Sequence, residues 1–131
     1  MRHRNDATSI VLVLYALTCI AFAVPLLFFL GWGSSLVHWY GLDPTAGKLM
    51  GAALAALAVG SLVAATDPAR HRIVVLTQLV FTGLAALALG YRLFLGPGHT
   101  HDVGWVILAL LALFTLAFAA FYPVDRAAEE A

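Results

Sequence analysis

The sequence predicts an all-α integral membrane protein: an antiparallel four-helix bundle with both termini on the cytoplasmic side. Three observations predict it. The chain is 63% hydrophobic and 11% charged, whereas soluble domains are about half apolar and about a quarter charged. Four apolar runs, at about 9–30, 45–65, 73–95 and 103–122, each reach the roughly 20 residues that a helix needs to cross a hydrocarbon core about 30 Å thick. Finally, the basic residues are unevenly shared between the connections. Arg2, Arg4, Arg70, Arg72 and Arg126 fall on one side and only Lys48 and Arg92 on the other, which places the first side in the cytoplasm. At 131 residues the chain is of single-domain size. It divides into the four spans, outer loops at 31–44 and 96–102, a cytoplasmic loop at 66–72 and a cytoplasmic tail at 123–131.

The first span follows the polar leader Met1–Asp6 and starts near Asp6 or Thr8. Arg2, Arg4 and the Ala21-Phe22-Ala23 triplet resemble a signal peptide, but the apolar run continues to Leu30, too long for a signal core. It reads as a retained span. Pro25 lacks the N–H that would bond the carbonyl of Ala21, so a kink is expected there. In the first outer loop, Trp32, His38, Trp39 and Tyr40 suit the headgroup layer, where amphipathic rings are favoured, and 34–40 reads as a short interfacial helix.

Asp43-Pro44 opens the second span, with Asp as N-cap and Pro in the first helical turn. This span, Asp43–Thr66, is almost wholly Ala, Gly, Leu and Val. On a helical projection Ala52, Ala53, Ala56, Gly60 and Ala64 gather on one side, and Gly47, Gly51, Ala55 and Ala58 on another, separated by Met50, Leu54 and Leu57. Helices in lipid associate through close backbone approach, which small side chains permit. Two small faces predict a neighbour on each, and so make this helix the inner packing post of the bundle. The same Asp-Pro pair at Asp67-Pro68 predicts a third helix whose first turn is Pro68–Arg72.

The third span carries a deeply placed amide, Gln78, with Thr82, Ala86 and Gly90 following at four-residue spacing. Tyr15, Thr18 and Thr115 are its expected partners. Tyr91 and Arg92 lie near the far end, where Arg92 can snorkel to the headgroups. Gly96-Pro97-Gly98 ends the helix, and Asp102 is the expected N-cap of the fourth. There Trp105, Ala109, Ala112, Thr115 and Ala119 are expected to face inward, and Phe114, Phe118 and Phe121 to face lipid. Pro123 stops the helix.

Composition and placement narrow the function. Formal net charge is zero, so no basic field attracts nucleic acid. Asp6, Asp43, Asp67 and Asp102 each precede a helix, where free N–H groups and the helix dipole favour a carboxylate. None lies inside a span, which argues against a proton-coupled carrier, since these use intramembrane ionisable groups. Cys19 is the single cysteine and forms no intrachain disulfide. There is no Ser-His-Asp set, phosphate-cradling Gly loop or Cys-x-x-Cys pair, so a non-enzymatic role is expected.

The leading expectation is an inner-membrane accessory or scaffold subunit, or a binder of a hydrophobic small molecule such as a lipid or quinone. Tyr15, Gln78, Thr82, Tyr91 and Arg92 are its candidate contacts, with membrane lipid, other membrane subunits or further copies of the chain as partners. A second reading is an outer-face metal site for Zn or Cu, or a metalloenzyme, built from His38, His99, His101 and Asp102. A third is an oligomeric carrier or channel. The layout of four spans, an aromatic first outer loop and a short basic middle loop resembles small bacterial membrane proteins, including those with a DoxX-like arrangement. The likeness is one of topology, and no residue motif carries a function across.

Overall fold

The computed structural model describes residues 2–29, 43–96 and 102–123, with the side chains of Arg2 and Asp102 outside the described set. These residues form four helices: α1 (Arg2–Phe28), α2 (Pro44–Thr66), α3 (Arg72–Leu95) and α4 (Asp102–Ala120). All four are long and apolar enough to cross a membrane, as expected for a multi-pass membrane protein. The expected interfacial helix at 34–40, the terminator Pro97-Gly98 and the tail beyond Pro123 lie outside the described residues.

The helix boundaries follow local chemistry. Asp43 caps α2 as expected, its carboxylate accepting from the backbone N–H groups of Thr45 at 3.4 Å and Ala46 at 3.3 Å. Asp67 acts differently. The segment after it is a turn rather than the first turn of α3, which begins only at Arg72. The Asp67 carboxylate accepts from Arg70 N at 3.3 Å, and its carbonyl accepts from the N–H groups of Arg70 and His71. An Asp-Pro pair thus caps a long helix in one place and closes a tight connection in the other. α1 begins at Arg2, before the expected start at Asp6 or Thr8, and Pro25 lies inside it.

α1 packs along α2 and α3 along α4, while contacts between these two pairs, α2 with α3 and α1 with α4, are much sparser. Late residues of α1 meet early residues of α2: a Cβ built on Gly51 would lie 2.9 Å from Leu27 Cγ and 3.1 Å from Leu26 Cβ. That separation leaves no room for a methyl group, so glycine is required there for the backbones to approach. The buried residues of α2 are Gly47, Gly51, Ala58, Ser61 and Ala64. Of its two expected packing faces, the Gly47–Gly51 side is therefore buried, whereas on the other Ala52, Ala53 and Ala56 are exposed, Gly60 is half-buried and only Ala64 is buried.

On α4 most of the expected inward and outward positions are exchanged, although Phe121 is exposed as expected and Thr115 is half-buried. Phe118 is fully buried and Phe114 packs against the core, while Trp105, Ala109, Ala112 and Ala119 are exposed. The reason is volume. Among the described residues the α1–α4 seam has no glycine contact of the Gly51 kind, and the space between the helices is filled by rings. Tyr15 meets Phe114 and Phe118 edge-on, with centroids 5.1 and 5.3 Å apart. The core joins Leu12, Tyr15, Ala16 and Cys19 of α1 with Ala58 and Ala64 of α2, Val75 of α3 and Phe118 of α4.

Candidate functional site

Where the two helix pairs meet, the interior contains polar side chains. Thr8, Ser61, Gln78 and Thr82 are all buried, with Gln78 only 1% exposed. In hydrocarbon each polar hydrogen needs an internal partner. Four threonines find theirs within their own helices. Thr18 donates to Leu14 O, Thr77 to Ile73 O, Thr82 to Gln78 O and Thr115 to Leu111 O. Each hydroxyl bonds a carbonyl one turn back, the usual resort of a mid-helix threonine.

The Gln78 side chain instead bonds across helices. Its Nε2 donates to Ser61 Oγ at 3.0 Å and, at 3.4 Å, to Leu57 O, both on α2. A backbone carbonyl only accepts, so the amide NH2 must face Leu57 O, and this fixes the orientation of the group. The consequence is that Gln78 Oε1 points elsewhere, buried and without a partner. Such an atom costs about 1–3 kcal/mol if left unsatisfied. Tyr15 differs. Its ring is held between Phe114 and Phe118, the residue is 3% exposed, and its buried hydroxyl has the Cys19 thiol, one turn along α1, as its hydrogen-bonding neighbour.

Of the five candidate contacts, Tyr15, Gln78 and Thr82 are buried in the interior. Thr82 is satisfied within its own helix by Gln78 O at 2.9 Å, so its role is to shape the wall. Tyr91 is 69% exposed and Arg92 is also exposed. They lie more than three turns beyond Gln78, about 20 Å along the helix, and are not part of the same site. The candidate metal ligands His38, His99 and His101, and the side chain of Asp102, lie outside the described residues. Among the described residues no group of three or more His, Cys, Asp or Glu side chains comes together. Cys19 is buried and free, one turn from Tyr15 on the same face of α1.

Ser61 was not expected as the partner of Gln78; Tyr15, Thr18 and Thr115 were. The signal lay in spacing, since Ser61 follows Ala58 on the face that starts with Gly47 and Gly51.

One end of the molecule is tied separately. Arg4 donates to Ala120 O at 3.3 Å, and the Thr8 hydroxyl donates to Phe121 O. Side chains of α1 thereby satisfy two of the carbonyls that the end of α4 leaves open. Nearby, the Arg72 guanidinium stands 5.7 Å from the centre of the Tyr122 ring, and Pro123 is fully buried.

Comparison of the chain with protein-family models, with curated proteins and with solved structures finds no match.

Proposed function

We propose that this chain is a non-enzymatic accessory protein of the bacterial inner membrane that holds a lipid or quinone between its helices. In this reading the four helices form an antiparallel bundle with both termini cytoplasmic. The cross-helix contacts support the arrangement: Leu27 lies against Gly51, Ser61 bonds Gln78, Gly90 faces Leu108, and Thr8 bonds Phe121. Each pairs a late position of one helix with an early position of its neighbour, and the cluster of Arg4, Arg70 and Arg72 at one end supports the orientation.

The observation that carries the binding reading is Gln78 Oε1, a buried amide oxygen with no hydrogen-bond partner. Buried polar atoms are nearly always partnered, so an unmet one near a sparse seam supports a missing polar partner. The absence of charged residues among the described buried ones supports a neutral, apolar ligand over an ion-coupled function. Purification in mild detergent followed by mass spectrometry of the extracted small molecules tests the reading. A lipid or quinone in near-equal amount to the protein is expected. A ligand-free chain would refute it.

A further inference from the structure

We propose that the end of the molecule where α1, α3 and α4 converge is a headgroup site for an anionic phospholipid, held by Arg4 and Arg72 with Arg70 beside them. It is separate from the interior around Gln78 and stands whether or not that interior holds a ligand.

Helix geometry and contacts bring the cations to one place. Thr8 of α1, Val75 of α3 and Phe118 of α4 are fully buried, as is Pro123 just past α4. Arg4 lies four residues before Thr8 and Arg72 three before Val75, so each continues the buried face of its helix one turn outward. Both then meet the end of α4. Arg4 Nη2 donates to Ala120 O at 3.3 Å, the Thr8 hydroxyl donates to Phe121 O, and the Arg72 guanidinium stands 5.7 Å from the centre of the Tyr122 ring. Three consecutive residues, each Cα about 3.8 Å from the next, thus receive α1 twice and α3 once, and carry both guanidinium groups.

Structural capping does not exhaust these groups. Arg4 is exposed, and the bond to Ala120 O uses one of the five N–H donors of its guanidinium. Arg70 is exposed too, and its bonds among the described residues are made by its backbone N–H. The neighbouring carboxylates are placed away from Arg4: Asp67 takes the Arg70 N–H at 3.3 Å, and Asp6, two residues past Arg4, stands about 200° round α1. The anion that fits is a lipid phosphate. Exposed apolar side chains begin beside the cluster, Ile73 and Leu76 on α3 and Leu116 and Phe121 on α4, where acyl chains can lie. A guanidinium takes a phosphate through two parallel N–H···O bonds. A head with no cation of its own leaves its phosphate free to accept them, whereas a choline head brings a second cation against the arginines.

The test uses the full chain in detergent micelles with equal amounts of dioleoyl phosphatidylglycerol and dioleoyl phosphatidylcholine, and retention is read by native mass spectrometry. Each arginine at a membrane surface changes affinity for an anionic lipid about five-fold, so the three together should favour phosphatidylglycerol by about ten-fold or more. Arg4→Gln and Arg72→Gln should each lower that preference about five-fold. Lys48→Gln, in the first turns of α2 at the opposite end, should leave it unchanged. Arg70→Glu decides the matter if the other two variants fail to fold. It removes no described side-chain bond, and reversing its charge should lower the preference about five-fold or more with resistance to unfolding unchanged. Excess inorganic phosphate should leave the lipid in place; if it displaces the lipid, the site serves a soluble phosphate and the lipid occupant is overturned. Equal retention of the two lipids, an unchanged preference in Arg70→Glu, or an equal loss in Lys48→Gln overturns the headgroup site itself.

Discussion

The two seams made by α1 solve the same packing problem in opposite ways. Against α2 it lies close, with Leu26 and Leu27 over Gly51, so that backbone approaches backbone. Against α4 it stands off, and the gap holds Tyr15, Phe114 and Phe118, the two phenylalanines stacked at 6.3 Å and both meeting the tyrosine edge-on. Water expulsion drives neither seam in a bilayer, so contact quality decides both. The close seam depends on what is missing from a side chain, and the open seam on what is present. A close seam is damaged by adding atoms and an open one by removing them.

That contrast can be broken most severely at the open seam. Phe118→Ala removes the largest fully buried side chain and should cost about 3–5 kcal/mol, read as reduced resistance to unfolding in mixed micelles. Ala119→Gly, next to it but exposed, tests whether the loss is specific to the buried ring and should cost less than about 1 kcal/mol. At the close seam the smallest addition suffices. Gly51→Ala should destabilise by about 1–3 kcal/mol through overpacking, whereas Gly60→Ala, whose new methyl would rest 3.8 Å from Val74 Cγ1, should be neutral or slightly stabilising. Equal effects at the two glycines would mean that close approach is not what defines this seam. Thr8→Val should cost about 1 kcal/mol by uncapping Phe121 O, with faster exchange of the last amides of α4. The smallest effect is expected at Ser61→Ala, about 0.6 kcal/mol, because Gln78 Nε2 keeps Leu57 O.

The same contrast explains how far the sequence could be read. Helix number and approximate extent were legible because length and apolarity alone set them, and Asp43 announced its helix because Asp-Pro is a local signal. Which face turns inward was much less legible. Both faces of α4 are apolar, so no alternation of polar and apolar residues marks the core, and only volume distinguishes them. Taking small residues as inward worked for Gly47 and Gly51, where the partner approaches closely, and failed for Ala109, Ala112 and Ala119, where it does not. Gln78 stood out as the lone deep amide. Its partner did not, because any hydroxyl at the right depth offers the same chemistry; the hydroxyls of Thr18 and Thr115 bond Leu14 O and Leu111 O in their own helices, and Ser61 takes the amide. Tyr91 and Arg92 were grouped with Gln78 through shared chemistry, although helix geometry keeps them several turns away.

The bonds from Arg4 and Thr8 to Ala120 and Phe121 join α1 to the end of α4, 116 positions apart for Arg4 and Ala120. Translation therefore imposes a schedule: α1 leaves the ribosome long before the carbonyls that its side chains will cap exist. Until the fourth helix is released, that edge of α1 must be sheltered by lipid or by the insertion machinery. A nascent chain halted before Ala120 would hold α1, α2 and α3 with an open flank, and closure would follow only when the last turn of α4 is made.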